Sequence, residues 1–180
     1  MKADELVAAL ASKTGENFFV ELATRMYQPP LWELRRDRLP ELPAALRIPM
    51  LIIAFDTELH MSGIHGFLEH STGAYLSETI DALAAIGAHA TAATMAGIRT
   101  VLTHHGVNLS DREGIQKFHW DHWEESDALS ADIDAAARDL YLYSRPPRGE
   151  NVLGMVQQYI DANRDALLHA VRTWTGSNAG

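Results

Sequence analysis

No cysteine occurs among the 180 residues, which excludes disulfides, thiolate metal ligands and a cysteine nucleophile. Long apolar runs are missing too. None approaches the roughly 20 residues that span a bilayer. The amino-terminal MKADELVAALASKTGENFF carries acids where a signal peptide has a basic region and then an apolar one. A soluble cytoplasmic protein is expected. Bases are scarce, with 15 Lys and Arg against 24 Asp and Glu and a net charge of −9. Phosphate contacts need a basic face, so this balance disfavours direct nucleic-acid binding. No serine sits in a GxSxG elbow, and neither a GxxxxGK[ST] loop nor an HExxH pair is present. The chain reads as non-catalytic, with no cofactor expected.

Strand alternation is also lacking, and MLIIAF at 50–55, the one ambiguous run, continues into DTELHM, which favours a helix from about 49 to 61. Helical periodicity is what the sequence offers instead. Leu76, Ile80 and Leu83 share a face, as do Met95, Ile98 and Leu102, and Val152, Met155, Val156 and Tyr159. Pro29-Pro30, Pro40 and Pro43 interrupt the early chain, Pro49 suits the first position of a helix, and Gly87 and Gly106 stand where helices would end. Pro146-Pro147 separates a helix near 130–144 from a last one near 150–170. With 47% hydrophobic residues the chain can bury a real core. The expected fold is all-α: a single compact domain over residues 1–180, about seven helices with short loops, and a frayed TGSNAG tail from about 175.

Three groups of polar residues are candidate sites. In ELHMSGIHGFLEHSTG, residues 58–73, His60, His65 and His70 lie five apart. A five-residue step turns a helix by about 500°, so the three rings point in different directions on any helix. The stretch reads as a turn between helices. The alternative is a metal-dependent hydrolase in which a loop gathers His60, His65 and His70 around zinc or iron. His119 and His122 in KFHWDHWEESD form at most an incomplete ligand pair, and Trp120 and Trp123 beside them read as buried area. His104-His105 before Gly106 reads as a helix carboxyl end. The third group is acidic. Asp121, Glu124, Glu125, Asp127, Asp132 and Asp134 fall between Phe118 and Ala137, where there is no Lys or Arg. Such a run suits a basic protein partner, or is simply a solvated face in which Asp132 and Asp134 favour a helix amino end.

Glu58, Gly63, Phe67, Ser71 and Gly73, followed by Ala82-Leu83 and Ile86-Gly87-Ala88, resemble the signature of a bacterial family of a domain of unknown function that includes a DNA-mimic protein. The pattern runs roughly E-x-x-N-G-G-F-x-Q-F-F-x-N-S-S-G and is followed by a helix ending A-L-x-x-I-G-A. This chain departs from it with Met61 and His70 where the pattern has Asn, Ser62 where it has Gly and Gly66 where it has Gln. The resemblance extends over about residues 40–165, and its specific part is 58–88. It implies a helical, acidic homodimer that occupies the DNA-binding surface of a transcription factor. It also supports the turn reading of 58–73, and the residues themselves suit a structural role: the glycines let two helices approach closely, and Ser71 or Thr72 is a fitting cap for a helix that begins near Ala74. The leading expectation is therefore an interaction protein whose acidic segment meets a basic or DNA-binding protein. A module that assembles through apolar homodimer contacts is a further reading.

Overall fold

A computed structural model of the chain describes residues 3–109, 126–140, 142 and 150–176. Every regular element among these residues is helical. In chain order they are α1 (Ala3–Ala11), α2 (Gly15–Arg25), α3 (Leu31–Arg38), a 3-10 turn (Leu39–Glu41), α4 (Ala44–Glu69), a second 3-10 turn (Gly73–Tyr75), α5 (Leu76–Ala85), α6 (His89–His104), α7 (Ser126–Ala136), α8 (Val152–Ala162) and α9 (Arg164–Gly176). The protein is all-α. Two compact units are distinguishable, one formed by Met1–Ile53 with Gly154–Gly180 and the other by Ala54–Leu153.

In the first unit α1 packs against α9 and α2, and α3 against α9. Leu6, Leu10, Phe18, Leu22, Leu167 and Val171 are all buried there. Arg164 closes the end of α1: its Nη2 donates to the Ala11 carbonyl at 2.7 Å while the guanidinium lies 4.9 Å from the centre of the Phe18 ring. A cation is well placed there, because the last carbonyls of a helix have no intrahelical donor. Arg38 lies similarly over Trp174, at 4.5 Å. The expected last helix near 150–170 is two helices. Asn163 ends α8 by donating its N–H to the Tyr159 carbonyl at 3.0 Å, and its own carbonyl accepts from Leu167 at 2.9 Å to start α9. Nor does the chain fray at 175. Thr175 is buried, its hydroxyl donates to the Val171 carbonyl, and α9 runs to Gly176; the rest of the expected tail lies outside the described residues.

α4 departs most from the sequence reading. The helix begins at Ala44, where the Pro43 carbonyl accepts the N–H groups of Leu46 and Arg47, both at 2.9 Å. Pro49 therefore sits in the second turn, not at the first position. One start already set by Pro43 makes a second unnecessary, and the ring at 49 removes a single helix hydrogen bond. The helix also runs past 61. It continues to Glu69 with a break at Gly63, whose φ of 69° and ψ of −169° lie outside the helical region.

In the second unit α5 packs on α6 and α6 on α7. Leu76, Ile80 and Leu83 on α5 and Met95, Ile98 and Leu102 on α6 are buried, as their spacing predicts. Gly87 and Gly106 end those helices as expected. In each case the next residue's N–H reaches back five residues, Ala88 to Leu83 at 2.9 Å and Val107 to Leu102 at 3.0 Å, the Schellman arrangement. The helix expected near 130–144 is instead α7, at 126–136. Asp127 in its first turn favours that earlier amino end, and a turn closes it when Leu140 donates to the Ala137 carbonyl at 2.9 Å. Among the described residues no helix is long and apolar enough to cross a membrane.

Candidate functional site

The signature residues 58–73 build a broken helix and its closing turn, more regular than a simple turn between helices. Gly63 occupies the positive-φ position at the break. Gly66 and Gly73 answer to space. A Cβ on Gly66 would collide with the Ser62 side chain, and one on Gly73 would lie 2.3 Å from the Leu68 carbonyl oxygen. Phe67 is buried and meets Phe55 edge to face at 5.0 Å, so the short segment beyond the break is held by aromatic packing. Ser71 is exposed. Neither Ser71 nor Thr72 supplies the expected cap. Thr72 is buried and its hydroxyl donates backwards, to the Phe67 carbonyl at 3.3 Å, so it completes the end of α4 and leaves α5 to start from Tyr75.

The three histidines take three different partners. His60 Nδ1 donates to the Asp56 carbonyl at 2.9 Å and is 3.2 Å from that residue's carboxylate. His65 Nε2 donates to Asp134 Oδ1 at 2.9 Å. His70 Nδ1 donates to Glu58 Oε2 at 2.6 Å. An ionised carboxylate only accepts, which fixes the nitrogen that carries the proton in the last two pairs. Glu58 precedes the break at Gly63 and His70 follows it, so their bond ties the two parts of α4 together. His70 stands where the family pattern has Asn and keeps a side-chain N–H donor there. Among the described residues no group of three potential metal ligands is gathered. Each ring is already oriented by its own carboxylate, Asp56, Asp134 or Glu58.

The acidic candidates divide likewise. Asp121, Glu124 and Glu125 lie outside the described residues, as do Trp120, Trp123, His119 and His122. Asp127, Asp132 and Asp134 are on α7 and exposed. Leu129 and Ile133 form the buried ridge of that helix. Residues one apart are about 100° apart around a helix, so Asp132 and Asp134 project on opposite flanks of Ile133. Asp134 receives His65 from α4, and Asp132 receives His105 Nε2, just past the end of α6, at 2.8 Å. Asp127 lies on the Asp134 flank, about two turns away. The carboxylates therefore form two flanks about an apolar ridge, and Asp132 and Asp134 do not cap the amino end of α7.

Sequence reasoning missed a further carboxylate. Glu150 accepts the backbone N–H groups of Ala90 and Thr91 at 2.9 and 2.8 Å and the Thr91 hydroxyl at 2.9 Å, capping the amino end of α6 from 60 residues away. Burial acts to raise this carboxyl, but the hydrogen bonds from Ala90 and Thr91, helped by His89 nearby, hold it below its ordinary range. Nothing in its local sequence marks the pairing, which only the approach of the two segments creates. A cavity of about 510 Å³ lies along α6, lined by Arg99, Thr100, Thr103, His104 and Leu109. Both threonine hydroxyls donate to helix carbonyls, and none of the described lining residues is a carboxylate.

Comparison with curated proteins and with solved structures gave no match. A family model described as DMP19-like protein matches residues 40–163, which take in all of α4 to α8. That is the DNA-mimic family to which the signature around Gly63 and Phe67 pointed, and with more than half of its length matched the chain belongs to the DMP19-like protein family.

Proposed function

We propose that this chain is a non-catalytic interaction protein that presents the carboxylates of residues 121–134 to a basic, DNA-binding protein, and that it works as a homodimer in the cytoplasm. The observation that carries the reading is α7 itself. Its apolar ridge is turned inward, so the exposed Asp127, Asp132 and Asp134 are held on a packed helix that has no lysine or arginine. Fixed charges lose less freedom on binding than charges on a loose chain, and they steer a cationic partner before contact. Membership of a DNA-mimic family supports a DNA-binding protein as that partner. The two-flank layout suits a partner that straddles α7 better than one reading a single row of charge.

The test is capture of the tagged protein's partners from bacterial lysate at low and moderate salt, beside a variant carrying Asp121→Asn, Glu124→Gln, Glu125→Gln and Asp127→Asn. A DNA-binding protein retained at low salt, weakened by added salt and lost in the variant is the expected result. Retention of the same partner by the variant would overturn the reading. The metal-dependent hydrolase on His60, His65 and His70 gains no support from the separate pairings of those rings.

A further inference from the structure

We propose that His65 and His105 make the acidic face of α7 responsive to pH, so that mild acid neutralises the flanks and releases a cationic partner; this rests on the interaction reading given above. The two imidazoles come from different parts of the second unit, α4 and the end of α6, and each meets one exposed aspartate beside the same buried Ile133. The two aspartates are 57% and 69% exposed, so they remain open to a partner while held by the rings. With both rings neutral the four groups carry two negative charges, and with both protonated they carry none. Imidazole is the side chain whose ordinary titration falls within the physiological range. Protonation leaves each N–H donor in place and turns a bond already charge-assisted by the carboxylate into an ion pair, so the helix stays docked while the net charge of the two pairs falls to zero.

The other ionisable groups on these elements are Arg47, Asp56, Glu58, His60 and Glu69 on α4 with His70 just past its end, Glu78 and Asp81 on α5, and His89, Arg99 and His104 on α6, with Asp127 on α7 and Arg138 and Asp139 beyond it. His60 and His70 are bonded to Asp56 and Glu58, and His104 stands edge-on to the His105 ring at 5.7 Å. Of the described acids on α7, neutralising Asp132 and Asp134 leaves Asp127 alone.

The experiment measures binding of a fluorescently labelled oligolysine peptide to the full chain at about pH 7.5 and about pH 5.5, on either side of the usual imidazole range. Three proteins are compared: the wild type, His65→Gln/His105→Gln and Asp132→Asn/Asp134→Asn. Glutamine keeps a donor for each aspartate but takes up no proton. The wild type is expected to bind roughly five- to tenfold more weakly at the lower pH, the scale of two lost surface charge contacts. The glutamine variant is expected to change less than twofold, and the asparagine variant to bind weakly at both values. Equal pH dependence in wild type and glutamine variant overturns the switch, as does no dependence in either. Binding at the higher pH that the asparagine variant loses leaves the acidic-face reading intact in both cases. If oligolysine fails to bind at all, that reading falls, and NMR titration of the His65 and His105 rings decides the switch. Ring midpoints that move when Asp132 and Asp134 become asparagine support the coupling, and unmoved midpoints overturn it.

Discussion

Single residues in this protein are constrained by backbone geometry more than by chemistry, and three glycines make the point testable. Gly63 has a φ and ψ that only glycine adopts readily, so Gly63→Ala should lower stability by about 1–3 kcal/mol. Gly73→Ala should lose at least as much, since its Cβ would press on the fixed carbonyl of Leu68. Gly97, exposed and helical with open space around it, should gain about 0.5–1 kcal/mol on becoming alanine. Urea unfolding of the three variants checks the order, and a destabilised Gly97→Ala would mean that a methyl group at 97 meets a neighbour. Glu150 adds a pH-dependent case. Its carboxyl is held low in the fold, so its contribution is present above the ordinary value near 4.5 and is lost as pH falls through the depressed folded value. Glu150→Gln should therefore cost about 1 kcal/mol at neutral pH, less where solvent screens the site, and almost nothing in strong acid. Thermal unfolding across pH measures the convergence of the two proteins. The glycines at 63 and 73 were visible in the sequence as a signature, whereas Glu150 was not, because its partners lie 59 and 60 residues away.

Elements differ in how they are held. α5 and α6 carry complete apolar faces, but α7 is docked by a narrow ridge of Leu129 and Ile133 with an imidazole–carboxylate pair on either flank. The ridge should dominate, since exposed ion pairs contribute at most about 1 kcal/mol and a buried isoleucine cut to alanine loses about 2–5 kcal/mol. Ile133→Ala is expected to raise amide exchange throughout α7 while α5 and α6 keep their protection. Asp132→Asn/Asp134→Asn should leave exchange in α7 nearly unchanged, and a large increase there would mean that the pairs, not the ridge, hold the helix. Helix ends were legible where chemistry is local, as at Gly87 and Gly106. They were misplaced where a neighbour intervened, as at Pro49, which Pro43 pre-empted, and at Asn163, which divides what periodicity alone presents as one helix.

For the whole molecule the governing quantity is charge, 24 acids against 15 bases. A homodimer of such chains carries its repulsion into the interface, so the proposed dimer should rest on apolar contact and tighten with salt, while capture of a basic partner weakens with it. Light scattering at low and moderate salt separates the two trends, and a dimer that dissociates as salt rises would point to an interface built from ion pairs. The sequence by itself determined the helical class, the buried stripes of α5 and α6, the glycine stops and the family, because each of these depends on residues within a few turns of one another. Only the tertiary structure decided that His60, His65 and His70 serve three separate carboxylates, that Asp132 and Asp134 lie on opposite flanks of one ridge, and that Glu150 caps α6. Those arrangements join residues up to 69 positions apart, and their geometry is set by how helices pack, for which no local spacing carries a signal.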